Sequence, residues 1–235
     1  MAEPAAGKPL RGVFVTGTDT GVGKSVVAAA ICAALADHGE RVAAFKPAVT
    51  GLDEDPGEWG HDHELLAAVA NVGQSPGDVA PYRYGPPLSP HLAAELAGEE
   101  IDAERLVTGA RAAGRSADAL VVEGVGGLTV PLTPSYLVRD LAAALNLPVV
   151  IAARTGLGTI NHTLLTLEAA RAAGLTAAGV VMTPWADDPE PIEVSNRETV
   201  ETLGEVKVWT LGAVSPARLS EAGARLPIDT WIAGD

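Results

Sequence analysis

Gly12-Val13-Phe14-Val15-Thr16-Gly17-Thr18-Asp19-Thr20-Gly21-Val22-Gly23-Lys24-Ser25 is the stretch whose reading decides the fold. Val13, Phe14 and Val15 form a short apolar run of the kind that builds a buried strand. Gly17, Gly21 and Gly23 interrupt it with a flexible loop. From Lys24 the pattern turns helical, with Val26, Val27, Ile31 and Leu35 at helical spacing among alanines. Strand, glycine-rich loop, Gly-Lys-Ser and helix together are the context of a phosphate-binding P-loop. The glycines let successive backbone N–H groups curl around a phosphate, and the helix N-terminus adds partial positive charge. Gly21, Val22, Gly23, Lys24, Ser25 and Val26 are therefore the expected nucleotide cradle. Lys24 would reach the terminal phosphates and the Ser25 hydroxyl would ligate Mg2+. The loop departs from the strict pattern in one place: Thr18 stands where glycine is usual, with Gly17 one position earlier.

Working outward, His38-Gly39 stops the first helix. Residues 41–45 read as a second strand ending at Lys46-Pro47, followed by Thr50-Gly51 and an acidic loop to Gly60. Residues 62–70 read as a helix with Asp62 at or near its N-cap. Residues 73–90 carry five prolines and little periodicity, which predicts a surface loop. Helices are expected at 89–96, 103–113, 138–145, 161–173 and 195–203. Strands are expected at 118–122, 148–152, 177–182 and 207–211, before an irregular tail. Residues 1–11 read as a disordered lead and 12–235 as one domain. Alternating strands and helices imply right-handed crossovers and a three-layer α/β fold, a mostly parallel sheet flanked by helices. Ligands in such sheets gather at the C-terminal strand ends. That rule selects the loops after residues 15, 45, 122, 152 and 182.

A chain of 235 residues with 47% hydrophobic content can bury a full core, and its 4% aromatic content leaves the packing to alanine, valine and leucine. A net charge of −14 argues against a general nucleic-acid or anionic-membrane surface. Only four lysines are present, and two of them, Lys24 and Lys46, fall in the motifs that face the expected ligand. Cys32 is the only cysteine, so no intrachain disulfide can form, and its place on the first helix suits a core residue. With no apolar run long enough to span a membrane and no signal peptide, a cytoplasmic setting is expected.

Three further residues could carry chemistry. Lys46 ends the second strand beside the P-loop, where a second cation would offset charge on a migrating phosphoryl group. Glu123 ends an apolar strand before Gly124-Val125-Gly126-Gly127. It is either a solvated turn residue or a Mg2+ ligand, and the glycines, which permit close approach of an anion, favour the ligand. Asp62 is either a helix cap or a metal ligand, and its position favours the cap. His61 and His63 lack the further ligands that zinc needs and read as exposed loop residues. Trp59, Trp185, Trp209 and Trp231 show no stacking pattern and read as packing residues.

Taken together, the chain resembles the dethiobiotin synthetase family. The matching pieces are Val-Thr-Gly-Thr-Asp-Thr-Gly-Val-Gly-Lys-Ser (15–25), Lys-Pro-Ala-Val-Thr-Gly (46–51), Asp62, Ser-Pro-His (89–91), Val-Glu-Gly-Val-Gly-Gly (122–127) and Leu-Gly-Thr-Ile-Asn-His (157–162). They occur in family order and span residues 12–183. The resemblance implies ATP- and Mg2+-dependent closure of a cyclic urea on 7,8-diaminononanoate with CO2, through a carbamate and a carbamic–phosphoric anhydride. It implies Lys24 and Lys46 as catalytic cations, and Ser25, Asp62 and Glu123 as Mg2+ ligands. Thr20, Lys46, Thr50 and Gly126 would contact the diamine, Thr50 standing where the family often has serine. Gly124, Val125 and Gly126 would lie along the nucleotide. Leu157, Gly158 and Asn161 would come from the second subunit of a homodimer whose diamine site lies at the interface. The family commonly has asparagine where this chain has Thr183, followed by Pro184. That leaves room for nucleoside triphosphates other than ATP, or for a base read by the loop holding Ser215 and Pro216.

Three other kinds of protein share parts of this pattern and differ from it at named features. A plasmid-partition or septum-placement ATPase carries a signature lysine where this chain has Asp19. A corrinoid amidoligase usually carries a glutaminase domain, for which 235 residues leave no room. A non-catalytic nucleotide-binding module would not need both lysines and three candidate metal ligands.

Overall fold

The first strand, β1 (Gly12–Gly17), is buried at every position, as expected of a parallel strand covered on both faces. The computed structural model describes residues 10–233. After β1 come α1 (Lys24–Asp37), β2 (Val42–Phe45), β3 (Ala48–Val49), a 3-10 turn, α2 (Asp62–Val69), α3 (Pro76–Val79) and β4 (Tyr82–Arg83). Then follow α4 (Pro90–Ala97), α5 (Ala103–Arg115), β5 (Ala119–Glu123), β6 (Pro131–Thr133), β7 (Tyr136–Leu137) and α6 (Val138–Leu145). The chain continues through β8 (Val149–Ala153), α7 (Thr159–Ala172), β9 (Ala177–Trp185), α8 (Pro191–Gly204), β10 (Val208–Gly212), a second 3-10 turn, α9 (Leu219–Gly223) and α10 (Ile228–Ala233).

Six strands form one sheet in the order β10-β9-β8-β1-β5-β2, and every pairing in it is parallel. The α/β three-layer architecture is therefore as expected. The chain leaves β1 toward β2 and β5 on one side, and reaches β8, β9 and β10 on the other. This reversal puts the C-terminal end of β1 at a topological switch point, where ligands bind in such sheets. Register carries the argument further. Val15 pairs with Glu123, and Phe45 pairs with Val122, so Lys46 and Glu123 leave adjacent strands at the same level.

Two buried clusters cover the sheet faces, one around Phe14, Leu120 and Ile151, the other around Val15, Ile31 and Leu35. The alanines of α1 are explained by a close neighbour. A Cβ at Gly223 would stand 2.0 Å from the Ala30 carbonyl oxygen, so α9 lies almost backbone to backbone on α1. Cys32 is fully buried in this helix, and burial pushes its thiol well above the usual range, as suits a core residue.

Several expectations need correction. The tail is not irregular: α9 and α10 bury Leu219, Ile228 and Trp231, with Trp231 edge-on to Trp209 at 5.2 Å. These helices are too short to show a helical period. Residues 73–90 are not only a surface loop, because Val79, Tyr82 and Tyr84 are buried and β4 pairs with β3. The helix expected at 195–203 begins at Pro191, a residue suited to a first helical position by its fixed φ. His63 is buried on α2 rather than exposed in a loop. Of the lead expected at 1–11, residues 1–9 lie outside the described residues. Leu10 packs on the core and Arg11 pairs with Glu40, so these two belong to the fold. Among the described residues, no helix is long and apolar enough to cross a membrane.

Candidate active site

The loop between β1 and α1 closes on the Lys24 side chain. Gly17 matters for space rather than for backbone angle: a Cβ there would stand 2.9 Å from both the Asp19 carbonyl oxygen and Lys24 Cγ. Gly23, at φ +89°, takes the left-handed turn into α1, where glycine is favoured. Lys24 Nζ donates to the Asp19 carbonyl at 2.8 Å, folded over the space a phosphate would enter. Burial lowers its pKa, and the Lys46 charge adds to this against the pull of Glu123. A desolvated ammonium of this kind gains from an arriving phosphate.

Lys46 is 3% exposed and lies at the centre of an ionic cluster in which Glu123 is buried and the Asp62 side chain is part-exposed. Its Nζ stands 2.6 Å from Glu123 Oε1, 3.0 Å from Asp62 Oδ2 and 3.3 Å from the Gly124 carbonyl. Burial alone would lower the Lys46 pKa, but the two carboxylates outweigh it and raise it. Glu123 is 0% exposed, and burial raises its pKa against the opposing charge of Lys46. Asp62 behaves differently. Burial pushes it up, but the Lys46 charge and the Ser25 hydrogen bond prevail and hold it at about 2. Ser25 Oγ lies 2.7 Å from Asp62 Oδ1 and 2.9 Å from Glu123 Oε1. One hydroxyl proton can serve only one of these carboxylates at a time. Glu123 Oε2 is buried with no hydrogen-bond partner among the described residues. Two carboxylates meeting at one hydroxyl, one of them with its second oxygen buried and unpartnered, suit a hard divalent cation. Asp62 is thus not the helix cap its position suggested. His61 holds the N-cap place, and the Glu64 carboxylate accepts its N–H at 3.2 Å.

Lys24, Ser25, Lys46 and Asp62 line one cavity of about 620 Å3 with Thr20, Gly21, Gly23, Val26, Thr50, Val125 and Gly126, whereas Glu123 is fully buried and meets the wall through Lys46 and Ser25. Gly126, at φ +60°, brings its backbone toward the Thr20 hydroxyl. The remainder of the wall is largely apolar, including Val49, Trp59, Leu65 and Leu88. Ser89, of the expected Ser-Pro-His motif, is also on the wall. Val22 and Gly124 do not line it: Val22 is buried in the core, and a Cβ at Gly124 would meet Val138 at 3.0 Å.

The residues expected near a nucleotide base are split from this cavity. Thr183 is buried against the loop, since a Cβ at Gly23 would stand 2.6 Å from its Cγ2. Pro184 follows it in β9. Ser215 lines a second depression of about 1150 Å3 with Trp185, Trp209 and Arg218, and Pro216 starts the 3-10 turn beside it. Leu157, Gly158 and Asn161 are exposed, Leu157 at 93%, and none of them lines this chain's own phosphate-loop cavity. Two features escaped the sequence reading. Trp59 and Leu65 join the wall from a loop and a helix with no motif. Arg154, just past β8, reaches the loop tip at Asp19 and Thr20, and only its strand-end position could have pointed to it.

A family model described as an AAA domain matches residues 11–222. The ATP-dependent dethiobiotin synthetase BioD of Anaeromyxobacter dehalogenans (strain 2CP-1) is 46% identical over 194 residues, covering 83% of this chain and 86% of that protein. The ATP-dependent dethiobiotin synthetase BioD of Bacillus subtilis (strain 168) is 37% identical over 199 residues, covering 85% of each. Among solved structures, the cell division ATPase MinD of Pyrococcus furiosus aligns with a TM-score of 0.55 at 19% identity, over 96% of this chain and 92% of that one. At that identity the likeness is one of fold. The identity to the two synthetases extends over most of every chain compared, and on that ground this chain belongs to the ATP-dependent dethiobiotin synthetase family.

Proposed function

We propose that this protein makes dethiobiotin, ADP and phosphate from 7,8-diaminononanoate, CO2 and ATP, with Mg2+, as a cytoplasmic homodimer. The observation that carries the reading is the buried Lys46 bridging Glu123 and Asp62 beside Lys24, at the edge of a half-apolar cavity. Membership of the synthetase family supports the substrates.

The chemistry fits these residues. One amine of the diamine adds to CO2, forming an N–C bond and losing a proton to solvent. The resulting carbamate is a poor electrophile because its oxygen is a poor leaving group. A carbamate oxygen therefore takes the γ-phosphoryl group, and ADP departs. The second amine then attacks the carbonyl carbon and gives up a proton to the departing phosphate or solvent, the C–O bond breaks, and phosphate leaves with that oxygen. Lys24 and Lys46 would hold the negative charge that passes from carbamate to phosphate. Thr20, Thr50 and the backbone at Gly126 would orient the diamine so that its second amine meets the anhydride before water does. The apolar wall would take the aliphatic chain. Ser25, Asp62 and Glu123 would hold Mg2+, which when bound draws charge from the β- and γ-phosphate oxygens. Leu157, Gly158 and Asn161 are exposed and do not line this chain's own cavity, which is consistent with service to a second subunit. There the N-terminus of α7 would receive the substrate carboxylate.

Incubation with ATP, Mg2+, bicarbonate and 7,8-diaminononanoate tests the reading. Dethiobiotin detected by mass, in step with ADP, supports it. ATP hydrolysis with no dethiobiotin would reject it.

A further inference from the structure

Arg154 follows β8, the strand that pairs with β1 on the side away from Glu123. Its guanidinium crosses to the tip of the phosphate loop. Nη2 donates to Asp19 Oδ2 at 3.2 Å and to the Thr20 carbonyl at 3.1 Å. The same strand holds the loop one step lower, where the Thr18 N–H donates to the Ala152 carbonyl at 3.0 Å. Asp19 spreads this tether through the loop. Its Oδ1 accepts the Thr20 N–H at 2.7 Å, and its carbonyl accepts from Lys24 at 2.8 Å. On the far side, the Arg154 carbonyl accepts from Thr159 Oγ1 at 2.6 Å, and Thr159 is the first residue of α7.

An aspartate at the tip of a loop that receives a polyanion is electrostatically adverse unless its charge is offset. Arg154 is the cation that offsets it. Two different acceptors on consecutive residues also fix the direction of the guanidinium, which a single surface ion pair would not. Thr20 is the loop-tip residue that lines the cavity beside Gly126, while the residues from Lys24 onward are held by α1 itself. The tether therefore bears on the substrate side of the loop more than on the phosphate cradle.

We infer that Arg154 is a positioning residue. It acts through Asp19 and holds Thr20 where the diamine is received, tying the start of α7 to the phosphate loop. The inference rests on the proposed reaction for its kinetic consequence, but not for its structural one. A partly exposed pair of this kind is worth up to about fivefold in an equilibrium.

Two measurements on Arg154→Ala and Arg154→Lys test it. In nucleotide-free protein, amide hydrogen exchange at Thr20 should speed up about fivefold in Arg154→Ala and stay within about twofold of wild type in Arg154→Lys. In steady-state assays, Arg154→Ala should raise KM for the diamine about fivefold and leave KM for ATP within about twofold, with Arg154→Lys restoring the former. Unchanged Thr20 exchange in Arg154→Ala overturns the inference. So does an Arg154→Lys that matches Arg154→Ala, or a rise in KM for ATP equal to that for the diamine. If wild-type protein forms no dethiobiotin, the functional reading fails, and the exchange rates alone decide the tether.

Discussion

Lys46→Met removes the ammonium that neutralises Glu123 and Asp62 and leaves a side chain of similar length. Glu123 is 0% exposed, and with Lys46 gone its remaining polar contact is the Ser25 hydroxyl at 2.9 Å. Removing one partner of a buried ion pair typically costs about 3–5 kcal/mol, because the other charge is left uncompensated. Glu123 can reduce that cost by taking a proton. Burial already raises its pKa, and the Lys46 charge that opposes the rise would be absent. A glutamate with a raised folded-state pKa binds a proton that the unfolded chain has released, so stability falls as pH rises through that window. Urea unfolding should therefore show a deficit of about 3 kcal/mol at pH 8 and a smaller one at pH 6. The same variant, folded by near-ultraviolet circular dichroism, should lose at least about a hundredfold in kcat, the scale for one preorganised electrostatic group. A deficit under about 1 kcal/mol at pH 8 with no dependence on pH would refute the electrostatic account of the cluster. Near-normal turnover in the folded variant would refute the catalytic role.

The acid side depends on Asp62, held at about 2 against a usual 3.8, so its contribution is present above that range and is lost as pH falls toward 2. Asp62→Asn should flatten stability against pH in that window, and an unaltered acid limb would count against the assigned pairing. Thr183 offers one hydroxyl where an asparagine amide would pair with adenine at two points, a contact worth roughly 1–3 kcal/mol. CTP, GTP and UTP should therefore support turnover within about tenfold of ATP in kcat/KM, whereas an ATP preference above about a thousandfold would mean that the base is read elsewhere, as by the Ser215–Pro216 turn. Mixing Lys24→Ala with an Asn161 variant that blocks the diamine should regain activity as heterodimers form with one intact site. Proven subunit exchange without recovery would argue against a shared site.

The legible parts of the fold were those with long apolar runs or a strong helical period. Thus 138–145 is the observed α6, and the strands expected to end near residues 15, 45 and 122 are β1, β2 and β5, ending at Gly17, Phe45 and Glu123. The site was legible where strand ends carried Lys46 and Glu123. Position alone left Asp62 open between cap and ligand and favoured the cap, because a residue at a helix start looks like a cap whichever way its side chain turns. Here the side chain turns to Lys46 and Ser25. The tail was missed because α9 and α10 hold their place by packing, through Gly223 on Ala30 and Trp231 on Trp209, rather than by periodicity. Arg154 was invisible because its partner lies 135 positions away, brought near only by the β1–β8 pairing.

Whether a carbamate oxygen takes the phosphoryl group is read by following the oxygen itself. The reaction is started with oxygen-18-labelled CO2 and quenched within seconds, before exchange with water. Both carbamate oxygens are then labelled. One should then appear in the inorganic phosphate and the other should remain as the carbonyl oxygen of dethiobiotin. Unlabelled phosphate released alongside labelled dethiobiotin would contradict that transfer.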